Sequence, residues 1–219
     1  MTEAKICGLR TEAAIDAAIA GGARWIGIVH FPPSPRHVDL ATATRLADHA
    51  RGRAIVVVLL VDPDDVTLDA VVATMHPDMI QLHGRETPER VAEIRTRTGL
   101  PLIKAVGVAT EAEIRSAMHY FKPRVIADLL LFDAKPPPGA RMPGGHGILF
   151  DWRILSAVPM DTPYLLAGGL TPDNVRECVM RTGAPAVDVS SGVETAPGEK
   201  SPELIRGFLR AVKTAMETL

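Results

Sequence analysis

Eight short apolar runs, separated by stretches with helical character, constrain the fold of this chain more than any other feature. The runs are rich in Val and Ile, and they predict strands at about 4–9, 24–29, 54–61, 78–82, 101–106, 124–131, 163–167 and 186–190. Amphipathic or Ala-rich stretches lie between most of them, the clearest at 11–22, 40–52, 86–99 and 201–219. Strands that alternate with helices are typical of a parallel sheet with helical crossovers.

The number of repeats selects one architecture among the α/β folds. Eight units within 219 residues give about 27 residues per unit, which suits a compact eight-fold barrel. We therefore predict an α/β protein made of a single (β/α)8 TIM barrel that spans residues 1–219. An open doubly wound sheet is the alternative, although such sheets commonly have five or six strands.

Charge and composition exclude several classes of partner. The net charge is −2, so no global field favours nucleic acid or an anionic membrane. The longest strongly apolar run, 54–61, is too short to span a bilayer, and the N-terminus does not resemble a signal peptide. Cys7 and Cys178 lie too far apart in sequence for a CxxC motif or a zinc ribbon. We expect a soluble cytoplasmic protein with no nucleic-acid or membrane partner.

Polar side chains near the ends of three predicted strands indicate a site in the barrel mouth. Active residues of this fold lie where strands end, and alternate residues of a strand face the barrel interior. In the first strand, alternation directs Ile6 towards the helices. The polar side chains that it directs inward on the first, fourth and eighth strands are Lys5, Cys7, Gln81, His83, Asp188 and Ser190.

Glycine and serine residues after the seventh and eighth strands predict a phosphate site. Loops at these two positions hold a substrate phosphate in many barrels, and glycine lets backbone N–H groups approach an anion. The predicted phosphate-binding residues are Gly168, Gly169, Ser190, Ser191 and Gly192.

Two further residues stand at predicted strand ends. Arg36 follows the second strand in a proline-flanked loop, where its guanidinium can bind a carboxylate through two hydrogen bonds. Asp133 ends the sixth strand, and its direction depends on where that strand stops. The segment 134–147, rich in Pro and Gly, follows Asp133, and we interpret it as a lid loop over the mouth.

Six sequence motifs in order along the chain resemble the phosphoribosylanthranilate isomerase family. They are KICGL at 5–9, SPR-x-V at 34–38, QLHGRE at 81–86, GGHG followed by FDW within 144–152, LAGGLTPDNV at 166–175 and DVSSGVETAPGEK at 188–200. His146 departs from the family pattern, which more often has Thr or Ser there.

The resemblance implies an Amadori rearrangement of a phosphorylated aminosugar on the tryptophan pathway. It assigns Cys7 as the general base, Asp133 as the general acid and Arg36 as the ligand of the substrate carboxylate. It also supports the phosphate site. Lys5, Gln81, His83 and Asp188 remain predicted pocket residues. No metal or organic cofactor is required, the partner is a small phosphorylated substrate, and the chain is expected to be a monomer or a homodimer.

Some alternatives stay open at this stage. A cation beside Cys7 would favour its thiolate, and either Lys5 or Arg10 is close enough in sequence to supply it. Asp128 competes with Asp133 for the role of acid. Another phosphosugar-processing barrel enzyme, or a non-catalytic barrel that binds a phosphorylated metabolite, would share the phosphate loops.

Overall fold

Eight parallel strands form a closed barrel. The structure, a computed structural model, describes residues 2–121, 126–140, 142–159 and 161–216. Each barrel strand pairs with the next along the chain, and the eighth pairs with the first. The predicted (β/α)8 barrel is therefore confirmed. Across the described residues, no helix combines the length and the apolar character needed to cross a membrane.

The strands agree with the predicted apolar runs to within a few residues. The barrel strands are β1 (Glu3–Cys7), β2 (Trp25–Val29), β3 (Ile55–Leu60), β4 (Met79–Leu82), β5 (Leu102–Val108), β6 (Leu129–Ala134), β7 (Tyr164–Leu166) and β8 (Ala186–Val189). A small antiparallel hairpin, β9 (Glu194–Ala196) and β10 (Glu199–Lys200), follows β8 outside the barrel.

Helices cover the outside of the barrel. They are α1 (Glu12–Gly21), α2 (Leu40–Ala50), α3 (Asp65–Met75), α4 (Pro88–Thr98), α5 (Glu111–Ala117), α6 (Val175–Thr182) and α7 (Pro202–Met216). The last three residues of the predicted helix 201–219 lie outside the described residues. After β6, the chain instead runs through a long irregular segment and a 3₁₀ helix at Trp152–Ala157.

Local sequence signals explain where these helices begin and end. Thr11 and Thr87 accept hydrogen bonds from N–H groups in the first turns of α1 and α4, and Pro88 occupies the first position of α4. Gly22 and Gly99 end the same two helices in the left-handed conformation. Local sequence therefore defines both ends of α1 and of α4.

The predicted boundary of the sixth strand was wrong. We expected 124–131, whereas β6 is Leu129–Ala134; residues 124 and 125 of the prediction lie outside the described residues. Asp128 precedes the strand, pairs with Arg95 and accepts a hydrogen bond from the Leu102 backbone at 2.8 Å. These contacts hold Asp128 at the N-terminal rim, far along the strand from Asp133.

Alternation along the strands separates two apolar layers. Even-numbered residues of β1, such as Ile6, pack between the barrel and the helices. The opposite faces fill the lower barrel with apolar side chains, namely Trp25, Val57, Met79, Ile103, Ala105, Leu131, Leu165, Ala167 and Ala186. Nearer the strand ends the inward residues become polar, so the mouth of the barrel is polar and the interior below it is apolar.

A buried ion pair braces the turn between β4 and α4. Lys104 on β5 donates to Glu86 at 2.6 Å and to the Gly84 carbonyl at 2.9 Å. Glu86 in turn accepts from the backbone N–H groups of Asp62 and Gly84. Both charged side chains are almost fully buried, so each needs the other as its counter-charge.

We predict that Lys104→Met destabilises the protein by about 3–5 kcal/mol, because it leaves the Glu86 carboxylate buried without a cation. Lys104→Met combined with Glu86→Gln should cost less than Lys104→Met alone, since no uncompensated charge remains. Urea unfolding of the parent and both variants measures these differences. A single variant within 1 kcal/mol of the parent would contradict the assignment.

Candidate active site

Lys5 and Cys7 form the floor of the polar mouth. Lys5 is fully buried and donates to Asp188 on the adjacent strand β8 at 2.8 Å. Gly27 on β2 leaves the room that these side chains need. A Cβ at position 27 would lie 2.8 Å from the Cys7 Sγ and 3.2 Å from the Lys5 Nζ. The thiol and the ammonium group are therefore packed over the same glycine.

Burial dominates the acidity of Cys7. Desolvation raises the pKa of its thiol, the charge of Lys5 acts in the opposite direction, and Asp188 raises the pKa further. Lys5 keeps its charge because Asp188 and Cys7 outweigh the burial penalty and raise the pKa of Lys5. Arg10, the other cation considered from the sequence, instead donates to the Pro35 carbonyl.

Asp133 lies on the inner face of β6, on the same side as Leu131. Burial raises the pKa of its carboxyl to about 7, although the Ala134 N–H donates to Oδ1 at 2.8 Å. His83 Nε2 lies 3.5 Å from Asp133 Oδ2. Burial lowers the pKa of His83 to about 3, so this contact is between a neutral imidazole and the carboxyl group and is not an ion pair.

Gln81 completes a row of polar side chains on the β4 side of the mouth. Its Nε2 lies 3.5 Å from His83 Nδ1. The buried atoms Gln81 Oε1 and His83 Nε2 have no hydrogen-bond partner among the described residues. Both residues border the cleft beside Cys7. These unpartnered atoms are therefore available to a ligand.

Arg36 is held by a carboxylate of the protein. Its Nε and Nη2 donate to Glu194 on β9 at 2.7 and 2.9 Å. Glu194 also accepts from Lys200 at 2.6 Å, and Lys200 donates to the Ser190 carbonyl at 2.8 Å. Although burial by itself favours a neutral carboxyl, Arg36 and Lys200 together lower the pKa of Glu194.

The glycine and serine loops border the mouth on the side of β7 and β8. Gly168 and Gly169 have φ values of +84° and +62°, which only glycine adopts without strain. A Cβ at Gly168 would also lie 2.7 Å from the Ala134 backbone nitrogen. A 3₁₀ helix begins at Ser191, and the first N–H groups of such a helix have no acceptor within it.

The lid loop closes over this arrangement. Gly144 packs so tightly against Asp133 that a Cβ there would collide with its Oδ2 and lie 2.8 Å from His83 Cε1. Gly145 has a φ of +79°, and a Cβ there would lie 2.6 Å from Arg36 Nη1. Residue 141 of the predicted loop lies outside the described residues.

Two adjoining clefts fill the mouth. The larger is bordered by Cys7, Arg36, Gln81, His83 and apolar side chains at the ends of β2 and β3. The other lies against the glycine and serine loops. Asp133, Gly145, Asp188 and Ser190 border both. The clefts therefore suit a small ligand with an apolar end and an anionic end.

Comparison with known proteins identifies the family. The sequence profile described as N-(5'phosphoribosyl)anthranilate (PRA) isomerase matches residues 4–211. The chain belongs to this isomerase family. A relative from Rhodopseudomonas palustris (strain BisB18) named N-(5'-phosphoribosyl)anthranilate isomerase is 52% identical over 98% of this chain and 97% of its own length. One of the same name from Brucella canis is 51% identical over 96% and 94%.

Solved structures of the isomerase family share the fold. The phosphoribosyl anthranilate isomerase of Thermotoga maritima has a TM-score of 0.86 and 30% identity, with 98% of this chain and 100% of that chain covered. A phosphoribosyl anthranilate isomerase in complex with reduced 1-(o-carboxyphenylamino)-1-deoxyribulose 5-phosphate has a TM-score of 0.83 and 29% identity, with 98% and 100% covered.

The structure brings most of the sequence-predicted residues together around the two clefts. His146 is exposed on the lid loop, contacts the Met142 carbonyl and borders the cleft beside the glycine and serine loops. Cys178 is buried in the core on α6, away from the mouth. Within the described ranges, no group of three His, Cys, Asp or Glu side chains is arranged to hold a metal ion. Arg36 faces the mouth, but its bidentate edge is bound by Glu194, which the sequence did not predict.

Glu194 and Lys200 are the residues that sequence reasoning missed. Both lie in the hairpin after β8, where no strand periodicity indicates the direction of a side chain. The available signal was the motif 188–200, which includes both residues and which we interpreted only for Asp188 and for its Ser and Gly. Glu194 pairs with two cations, and one of them, Arg36, is 158 residues away in the sequence. No local pattern could therefore predict this contact.

We predict that Lys5 determines the reactivity of Cys7. In a Cys178→Ala background, Lys5→Met combined with Asp188→Asn should slow alkylation of Cys7 by iodoacetamide several-fold near pH 8, because the thiolate loses more stabilisation from Lys5 than repulsion from Asp188. Rates across pH 6–10 measure the effect, with Arg10→Met as the matched control. An unchanged profile in the double variant would contradict it.

Proposed function

We propose that this protein converts N-(5'-phosphoribosyl)anthranilate into 1-(2-carboxyphenylamino)-1-deoxyribulose 5-phosphate, an Amadori rearrangement in tryptophan biosynthesis. Family membership supports the reaction. The observation that carries the assignment of residues is that Cys7 and Asp133 border one cleft, which also contains Arg36 and adjoins the glycine and serine loops. The reaction needs an acid, a base and two anion sites, and these residues supply each.

Asp133 is the general acid in this proposal. Its pKa of about 7 leaves a substantial protonated fraction at neutral pH. The anthranilate nitrogen donates its lone pair to the sugar C1, the bond from C1 to the ring oxygen breaks, and the ring oxygen receives the proton of Asp133. The product of this step is an open-chain iminium ion. The neutral His83 beside Asp133 adds no positive charge that would favour loss of the proton.

Cys7 is the general base. The iminium acidifies the proton on C2, so a thiolate can remove it, and the electrons of the C2–H bond move towards the iminium nitrogen. The resulting enolamine becomes the ketone when C1 gains a proton and the C2 hydroxyl loses one. Cys7 is on β1 and Asp133 is on β6, so acid and base reach the substrate from different sides of the cleft.

The two anionic ends of the substrate fit the two clefts. The apolar side chains of Val29, Phe31, Leu59 and Val61 border the larger cleft and suit the aromatic ring, while Arg36 suits its carboxylate. The loops that contain Gly168, Gly169, Ser190, Ser191 and Gly192 suit the phosphate. Lys5 and Asp188 support the floor, and no cofactor enters the proposed chemistry. The protein acts in the cytoplasm as a monomer or a homodimer.

The test follows the loss of phosphoribosylanthranilate fluorescence by the purified protein. Cys7→Ala and Asp133→Asn should each lower kcat by about 10²–10⁴, the usual range for a general acid or base. Cys178→Ala, which removes the other thiol, should leave kcat close to the parent value. A folded parent with no turnover would contradict the isomerase assignment and favour the non-catalytic barrel. If only one of the two variants loses activity, the residue replaced in the other variant does not have its proposed role.

We also predict an unusual pH dependence. The productive form needs protonated Asp133 and ionised Cys7, yet the pKa of Asp133 is about 7 and burial holds the pKa of Cys7 above its ordinary value. Between these two pKa values the pair shares one proton, and the productive form is a minor but constant fraction. Below about 7 both groups are protonated and kcat/KM falls; above the pKa of Cys7 both are ionised and kcat/KM falls again.

The acidic limb of the kcat/KM profile therefore reports the pKa of Asp133. This is unusual, because Asp133 acts in its protonated form as the general acid. Asp133→Glu should move this limb, and Lys5→Met combined with Asp188→Asn should move the alkaline limb to higher pH. Affinity for the reduced product analogue over the same pH range separates binding from chemistry. A kcat/KM that stays constant down to pH 5, two units below the expected limb, would contradict the prediction.

A further inference from the structure

Arg36 has one of its two bidentate edges occupied by the protein itself. The edge formed by Nε and Nη2 can bind a carboxylate through two hydrogen bonds, and Glu194 accepts from both atoms. The exposed fractions of the two side chains are 8% for Arg36 and 5% for Glu194. Water therefore competes poorly for the hydrogen bonds between Arg36 and Glu194, and this contact is a fixed structural part of the site.

Glu194 neutralises a second buried cation. Lys200, with 2% of its side chain exposed, donates to the same Oε1 that Arg36 Nε contacts. Lys200 also donates to the carbonyl and the hydroxyl of Ser190 in the phosphate loop. Glu194 thus neutralises both Arg36, on the side proposed for the substrate carboxylate, and Lys200, on the side proposed for the phosphate.

The remaining nitrogen of Arg36, Nη1, is directed towards the lid loop. Gly145 leaves the space beside it, since a Cβ at this position would lie 2.6 Å from Nη1. Arg36 and Gly145 border the same cleft. An incoming carboxylate can accept from Nη1 and from the second N–H of Nη2 while Glu194 stays in place, but it cannot bind the Nε and Nη2 edge without displacing Glu194.

We propose that Glu194 is a positioning residue that limits the affinity of Arg36 for the substrate carboxylate. This inference rests on the proposed function, in which Arg36 binds that carboxylate. Glu194 occupies the Nε and Nη2 edge of Arg36, directs Nη1 into the cleft and places a negative charge close to the incoming anion. Because the product carries the same carboxylate as the substrate, the weaker attraction also favours product release.

The test compares two ligands that differ only in the carboxylate. They are reduced 1-(o-carboxyphenylamino)-1-deoxyribulose 5-phosphate and its counterpart made from aniline. In Glu194→Gln the ratio of their affinities should shift roughly tenfold further towards the carboxylated ligand, since repulsion is removed and the edge of Arg36 becomes available. A purely structural role for Glu194 would weaken the binding of both ligands. Calorimetric titration measures each Kd.

Matched variants keep the result interpretable. Glu199→Gln removes an exposed carboxylate from the same hairpin and should leave the ratio unchanged. Glu194→Asp retains the charge and should return the ratio towards the parent value. If Glu194→Gln folds poorly, Glu194→Gln combined with Lys200→Met keeps the net charge and still frees Arg36, so the ratio should rise there as well.

Two outcomes would overturn the proposal in distinguishable ways. A parent that binds the carboxylated ligand better than its counterpart, with an unchanged or smaller ratio in the folded Glu194 variants, would reject the role of Glu194 alone. A parent that binds both ligands equally would reject the role of Arg36 in the proposed function, and the role of Glu194 with it.

Discussion

Exclusion of water from the barrel mouth is the constraint on which the rest of the site depends. Burial raises the pKa of Cys7 and Asp133 and lowers that of His83, and in each case it is the largest single cause. Burial therefore favours the neutral forms of Cys7, Asp133 and His83, whereas Lys5 stays charged because Asp188 lies 2.8 Å away. In the proposed mechanism, the proton needed for ring opening is available on Asp133 for this reason, and the thiolate of Cys7 is a minor species.

The paired charged side chains of the mouth nearly balance, with one more cation than carboxylates. Three buried cations, Lys5, Arg36 and Lys200, face two carboxylates, Asp188 and Glu194. When Asp133 is protonated and Lys200 is charged, this set has one net positive charge, which suits a ligand with anionic groups at both ends without leaving the free protein strongly unbalanced. An isolated cation here would lose hydration without compensation, so the same pairs that stabilise the free barrel also limit how tightly an anion binds.

Alternation along strands was sufficient to predict part of this site. Lys5 and Cys7 face inward because Ile6 must pack against the helices, and Asp188 follows from Val187 and Val189 in the same way. Asp133 could not be placed so simply. Its direction depends on where β6 stops, and the strand continues to Ala134, so Asp133 shares the inner face with Leu131. Asp128 instead precedes the strand and contacts Arg95 and Leu102, and no local pattern contains these contacts.

The residues that set the affinity of the site were beyond sequence reasoning for a different reason. A loop-borne arginine predicts a carboxylate partner but does not say whose carboxylate it is. For Arg36 the partner is Glu194, on a hairpin that returns to the mouth only when the barrel closes and β8 pairs with β1. Until that closure, Glu194 and Arg36 are separated by six strands, β3 to β8, so this part of the chemistry is a property of the closed fold rather than of either motif.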